Sequence, residues 1–186
     1  SLINEQIAGK CEAVGADVTS LHPGDEVFGI GKGTFADYAR APESKLALKP
    51  ANLTFEQAAA VAISGLTALQ GLRDSAAVRP GQHVLILGAS GGVGSFAVQV
   101  AKALGAEVTG VSSTAKVEMV RALGADHTID YTKEDIASGG QRYDVILDTG
   151  GNRSLAELRR ALTPTGTLVI VGGETGGRWL GGFDRS

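Results

Sequence analysis

Residues 83–106, read as HVLILGASGGVGSFAVQVAKALGA, constrain the fold more than any other part of the chain. Val84 to Leu87 make a short unbroken apolar run, the pattern of a strand buried on both faces of a parallel sheet. Small residues follow at once. Beyond them Ser95, Gln99 and Lys102 share a polar stripe at helical spacing, while Val93, Phe96, Ala97, Val100, Ala101 and Leu104 cover the face that would pack on a sheet. Gly105 then stops the helix. A glycine-rich turn between strand and helix lets a pyrophosphate approach the backbone, where free N–H groups and the positive end of the helix dipole face its charge. The dinucleotide spacing Gly-x-Gly-x-x-Gly is present as Ala89-Ser90-Gly91-Gly92-Val93-Gly94, with alanine in the first place. Such turns also join strands to helices in proteins without a nucleotide, so context decides.

The context is a run of further strand–helix units. Strands are expected at residues 107–111, 128–130, 143–148 and 167–171, and helices at 116–123, 133–137 and 154–162, the last ended by Pro164. That alternation predicts a parallel sheet with right-handed crossovers, an α/β doubly wound fold. Upstream, residues 1–50 read as β structure, with short strands at 11–14, 26–30, 35–40 and 45–48, too few to close a barrel. Thr54 is placed to cap a helix with Glu56 and Gln57 in its first turn; Ser64-Gly65 breaks or bends it before a second helical run at 66–72. The chain opens on Ser1 in mid-pattern and reads as an internal fragment.

Composition narrows the function classes. With 43% hydrophobic residues the 186-residue chain has material for a real core, and a net charge of -3 with no basic cluster argues against nucleic acid or an anionic membrane. Cys11 is the single cysteine, so neither an internal disulfide nor a cysteine zinc cluster can form, which suits the cytoplasm. The apolar run 58–63 is too short to span a bilayer. No Gly-Lys-Ser/Thr follows a glycine loop, no lysine lies four residues after Tyr38, Tyr131 or Tyr143, and His22, His83 and His127 are isolated. Phosphoryl transfer, a tyrosine–lysine couple and a histidine metal pair are thereby set aside.

In a doubly wound sheet the tip of the second strand selects between NAD and NADP, because an acid there binds the ribose hydroxyls and repels a phosphate. No carboxylate lies between Glu107 and Glu118. The tip reads Ser112-Ser113-Thr114-Ala115-Lys116, with hydroxyl donors and one ammonium where a 2′-phosphate would sit, favouring NADP(H). The plainer alternative is that Thr114 caps the next helix and Lys116 is a solvated charge.

Taken in order, Ala13-Val14-Gly15, Pro23-Gly24-Asp25-Glu26-Val27, Gly33-Thr34-Phe35-Ala36-Asp37-Tyr38, Ser64-Gly65-Leu66-Thr67-Ala68, Gly88 through Gly94 and Leu123-Gly124-Ala125-Asp126 resemble the medium-chain dehydrogenase/reductase superfamily, in its zinc-independent quinone oxidoreductase (zeta-crystallin-like) branch. The resemblance covers essentially the whole chain. It implies part of a split GroES-like domain at residues 1–50, an NADP-binding Rossmann domain at 51–174 and a truncated glycine-rich tail at 175–186. By position, Ala89, Ser90, Gly91, Gly92, Val93 and Gly94 would form the pyrophosphate turn; Ser112, Ser113, Lys116 and Tyr131 would hold the 2′-phosphate and adenosine end. Thr67 would lie beside the nicotinamide, and Gly172 and Gly173 would admit its ribose. Tyr131 as a surface aromatic and Thr67 as a packing residue remain open alternatives. Zinc-dependent relatives carry ligands where this chain has Glu5, Gln6 and Ile63, so no metal is expected.

The activity implied is hydride transfer from NADPH to a quinone, enone or related activated carbonyl compound in a dry cleft, without an assigned catalytic acid. A non-catalytic, crystallin-like NADPH-binding protein is the alternative. The expected partners are a small-molecule substrate and, for the full-length protein, a second copy in a homodimer.

Overall fold

The computed structural model describes residues 5–136 and 140–171. The chain divides into two compact units, Ser1–Leu66 and Thr67–Ser186. In the first, β1 (Gln6–Lys10), β2 (Glu26–Ile30) and β3 (Leu46–Leu48) form an antiparallel sheet with β2 in the middle. The strand expected at 11–14 does not form. Cys11 adds one rung, donating its N–H to Asp25 O (2.8 Å) and accepting from Gly24 N–H (2.7 Å), and the chain then turns away. Gln-Ile-Ala-Gly-Lys has little β-forming composition; its pairing with β2 makes it a strand. The expected strand at 35–40 is irregular as well, reduced to a Lys32–Arg40 bridge with Phe35 and Tyr38 exposed.

Helix α1 (Phe55–Leu69) starts where expected. The Thr54 hydroxyl accepts the Gln57 N–H at 3.2 Å, and the Gln57 side-chain oxygen accepts the Thr54 N–H at 3.0 Å, a reciprocal cap. It does not break at Ser64-Gly65, but runs on and widens into a π turn at Gln70–Ser75. One interior glycine costs a helix about 1 kcal/mol. Burial of Ala58 and Ala62 on one face offsets that.

The second unit contains β4 (His83–Leu87), α2 (Gly92–Ala103), β5 (Glu107–Ser112), α3 (Val117–Ala122), β6 (His127–Asp130), β7 (Tyr143–Asp148), α4 (Leu155–Ala161) and β8 (Leu162–Ile170). The strands are parallel, in the order β6-β5-β4-β7-β8. This is the Rossmann doubly wound α/β sheet that the sequence led one to expect. Its two faces are both dry. Val84, Ile86, Val108, Val145 and Leu147 pack with Ala97, Val98 and Ala101 of α2, and Leu85, Leu87, Val111 and Ile146 pack with Leu158 and Ala161 of α4. Each buried Val, Leu or Ile among them stabilises the fold by about 1.5–3 kcal/mol.

Two expectations fail here. No helix occupies 133–136: Asp130 O accepts the N–H groups of Lys133 and Glu134 (both 3.0 Å), giving a single turn, and Ala137 lies outside the described residues. Nor does Pro164 end α4. The helix stops at Ala161 because Leu162 is already extended (φ -81°, ψ 150°), and Pro164 lies inside β8, at a shift in register where it has no ladder partner on β7, so its missing N–H costs no bond there.

Candidate functional site

From β4 the chain builds β5 and β6 on one flank, then crosses to build β7 and β8 on the other. Ligands of doubly wound sheets bind at that switch, beyond the carboxyl ends of the strands. The turn after β4 lies there. Gly88 takes φ +74°, a left-handed conformation that glycine adopts at no steric cost, so Ala89 in the first place of the motif keeps an ordinary backbone. Ala89 N–H bonds to Val111 O of β5 (3.0 Å), and Gly91 N–H closes the turn on Gly88 O (2.9 Å).

Helix α2 starts so close to this turn that a Cβ on Gly94 would stand 2.1 Å from Gly88 O and 2.8 Å from Ala89 Cα. Only glycine fits there. The buried Ala89 methyl in turn occupies space left by Gly110 of β5, where a Cβ would lie 3.2 Å from it. Gly91 and Gly92 are exposed, Ser90 and Val93 half-buried, and no side chain caps the helix. The first-turn N–H groups thus have no side-chain partner, and the backbone in front of them is bare, an arrangement that could hold an anion. On the β7 side, Thr149 donates its hydroxyl to Leu87 O (2.7 Å), and the Asp148 carboxylate accepts from Gly150 and Gly151 N–H (2.9 and 3.0 Å).

At the tips of β5 and β6, Ser112 and Tyr131 come together through the backbone, Tyr131 N–H donating to Ser112 O at 3.2 Å. The Ser112 side chain is buried and leans on its neighbour's carbonyl, while Lys116 and Tyr131 are exposed and Ser113 half-buried. Lys116 N–H bonds to Ser113 O (2.9 Å), placing its side chain on the same short turn, Thr114–Lys116. The tip nevertheless has a carboxylate nearby, which the linear spacing hid. Asp130 ends β6 buried, and its oxygens accept from the Thr114 hydroxyl (2.5 Å), the Thr132 hydroxyl (2.6 Å) and Thr132 N–H (3.0 Å), with Lys133 Nζ at 3.2 Å. The hydrogen bonds from Thr114 and then Thr132 hold its pKa far below the usual aspartate range. Thr114 therefore serves Asp130 instead of capping α3, which has no side-chain cap. The Asp130-Tyr131-Thr132 run is a recognisable turn signal, but nothing in the sequence pairs it with Thr114, sixteen residues earlier.

Thr67 is half-buried on α1. Gly172 and Gly173 lie outside the described residues. Of the positions compared with zinc ligands, Gln6 and Ile63 are adjacent: the Gln6 side-chain oxygen accepts the Ile63 N–H at 3.4 Å. An amide and an aliphatic group do not make a zinc donor set. Among the described residues no three His, Cys, Asp or Glu side chains are grouped to hold a metal, and no helix is long and apolar enough to cross a membrane.

Residues 92–180 match the family described as zinc-binding dehydrogenase. Spectinabilin polyketide synthase system protein NorB of Streptomyces orinoci is 42% identical, over 90% of this chain and 8% of that protein. The 2-methylene-furan-3-one reductase of Solanum lycopersicum is 37% identical, over 89% of this chain and 48% of that protein. The solved quinone oxidoreductase from Coxiella burnetii aligns with TM-score 0.85 and 33% identity, over 92% of this chain and 56% of that one. The chain belongs to the medium-chain dehydrogenase/reductase superfamily. A mycobacterial structure solved in complex with NADPH aligns with this medium-chain dehydrogenase/reductase at TM-score 0.81 and 31% identity, over 93% of this chain and 57% of that one. The chain thus spans about half the length of the reductase and of both solved structures.

Proposed function

We propose that this medium-chain dehydrogenase/reductase chain is the nucleotide-binding part of a zinc-independent oxidoreductase that uses NADPH to reduce a quinone, an enone or a related activated carbonyl compound. The observation that carries the reading is the uncapped start of α2 against the Gly88–Gly94 turn at the switch point of the sheet. The names of the tomato reductase and the Coxiella oxidoreductase support the substrate class, and the mycobacterial NADPH complex supports the cofactor. In this reading residues 1–50 are part of a GroES-like catalytic domain, 51–174 the Rossmann domain and 175–186 its tail.

NADPH, when bound, would supply the hydride for reduction of the conjugated acceptor, the balancing proton being assigned to no residue of this chain. The chain binds and orients. The bare backbone at Gly91, Gly92 and Val93 faces the diphosphate; Gly91 N–H is spent on Gly88 O, so the amides of Gly92 and Val93 make the contact, with the α2 dipole adding to their attraction. Lys116 has no ion-pair partner among the described residues, so its ammonium is available to the 2′-phosphate beside Ser113 and Tyr131. Gln6 and Ile63 leave carbonyl polarisation to groups other than a zinc ion.

Calorimetric titration of the full-length protein tests the cofactor, and loss of NADPH absorbance with a panel of quinones and enones tests the reaction. NADPH binding tighter than NADH, with turnover of at least one conjugated carbonyl, is the expected result. Binding without turnover overturns the reaction in favour of a non-catalytic NADPH-binding protein, and no binding of either nucleotide overturns the whole reading.

A further inference from the structure

We propose that Asp130 is the positioning residue of the adenosine 2′-phosphate site, a role that rests on the NADP(H) reading above. The residues assigned to this end of the cofactor come from two separate places in the chain, around the connections after β5 and β6: Ser112 ends β5 and Ser113 and Lys116 follow it, whereas Tyr131 follows β6. Backbone pairing alone joins these connections weakly, through Tyr131 N–H on Ser112 O at 3.2 Å. Asp130 supplies the firm link. One carboxylate takes the Thr114 hydroxyl from the first connection and the Thr132 hydroxyl and N–H from the second, and the two hydroxyl oxygens themselves stand 3.1 Å apart. Asp130 N–H in turn donates to Glu134 Oε1 at 3.3 Å, closing the second connection on itself. Thr114 opens the turn that carries Lys116, so fixing Thr114 fixes where the ammonium starts from.

A carboxylate beside a phosphate would ordinarily repel it. Here the charge is already engaged by two hydroxyls, one amide and the Lys133 ammonium at 3.2 Å, and the side chain is only 11% exposed. Lys116 is not drawn into that network and keeps its charge for a ligand. Placement therefore outweighs repulsion, and loss of the carboxylate weakens NADPH selectively, because NADH has no group that needs Lys116 held in place.

Asp130→Asn preserves the size and one acceptor oxygen but loses the charge and the second acceptor. In calorimetry on the full-length protein its NADPH Kd rises about tenfold, while its NADH Kd shifts by less than about threefold, as expected when a hydrogen bond to a charged group is lost. Thr114→Val gives the same selective loss, Thr114→Ser restores the wild-type ratio, and the double variant Asp130→Asn/Thr114→Val is no worse than the poorer single one. A purely structural role would weaken both nucleotides alike. Equal weakening, no change, or tighter NADPH binding in both Asp130→Asn and Thr114→Val overturns the proposal while leaving the cofactor reading intact; a wild-type protein that takes up neither nucleotide overturns both.

Discussion

Each of the two units is stabilised internally in its own way. In the second, both faces of the sheet are packed with aliphatic side chains, and Leu85, Ile86, Ile146 and Leu147 have no exposed surface at all. In the first, the buried apolar side chains among the described residues are Leu21, Val27, Ala58 and Ala62, while Phe35, Tyr38 and Leu48 are exposed by 77%, 76% and 60%. Polar links take over there. Glu43 accepts from Thr19 N–H, Ser20 N–H and the Ser20 hydroxyl, and Lys49 reaches Leu53 O at 2.7 Å and Glu26 at 3.1 Å. Among the described residues the second unit is the one packed on both faces of its sheet, and the glycine turn after β4 lies in that unit.

The comparison breaks most visibly in the core. Leu147→Ala is expected to cost about 2–5 kcal/mol in urea unfolding. A loss below about 1 kcal/mol would mean that the sheet faces are looser than described. Next comes Gly94→Ala, whose new methyl meets Gly88 O; overpacking of this kind costs about 1–3 kcal/mol, and the expected outcome includes NADPH binding at least about tenfold weaker. Unchanged affinity would detach the turn from the ligand.

Smaller still is Ser154→Ala. Ser154 Oγ accepts Glu157 N–H at 3.3 Å while Glu157 accepts Ser154 N–H at 2.9 Å, and removing this reciprocal cap on α4 should cost about 1 kcal/mol by the same unfolding measurement. A change near zero would show that packing of Leu158 and Ala161 alone fixes the helix. At the bottom of the range lies Phe35→Ala in the first unit, expected to stay within about 0.5 kcal/mol because the ring is exposed. A penalty of about 2 kcal/mol or more would show that the ring is covered in the full-length protein.

Legibility in the sequence followed the same division. Strands β4, β5 and β7 and helix α2 were readable because burial on both faces imposes long aliphatic runs and a clear helical stripe. Strand β1 was not, since its Gln-Ile-Ala-Gly-Lys becomes extended only through pairing with a segment twenty residues away. The unbroken α1 and the placement of Pro164 at the register shift of β8 are likewise tertiary overrides of local breaker signals. In the site, the glycine turn was visible as spacing, whereas the carboxylate among Thr114, Thr132 and Lys133 depends on two loops meeting in space.

Gly110 has a consequence for how this surface can change over time. A side chain there would collide with Val120 Cγ1 at 2.4 Å as well as crowd the Ala89 methyl, so residue 110 sets the height at which the glycine turn sits above the strand beneath it. Enlarging that position is tolerable only with compensating reductions at 89 and 120. The three sites should accordingly drift as a set, and an isolated exchange at 110 or 120 would shift the turn without lying in it.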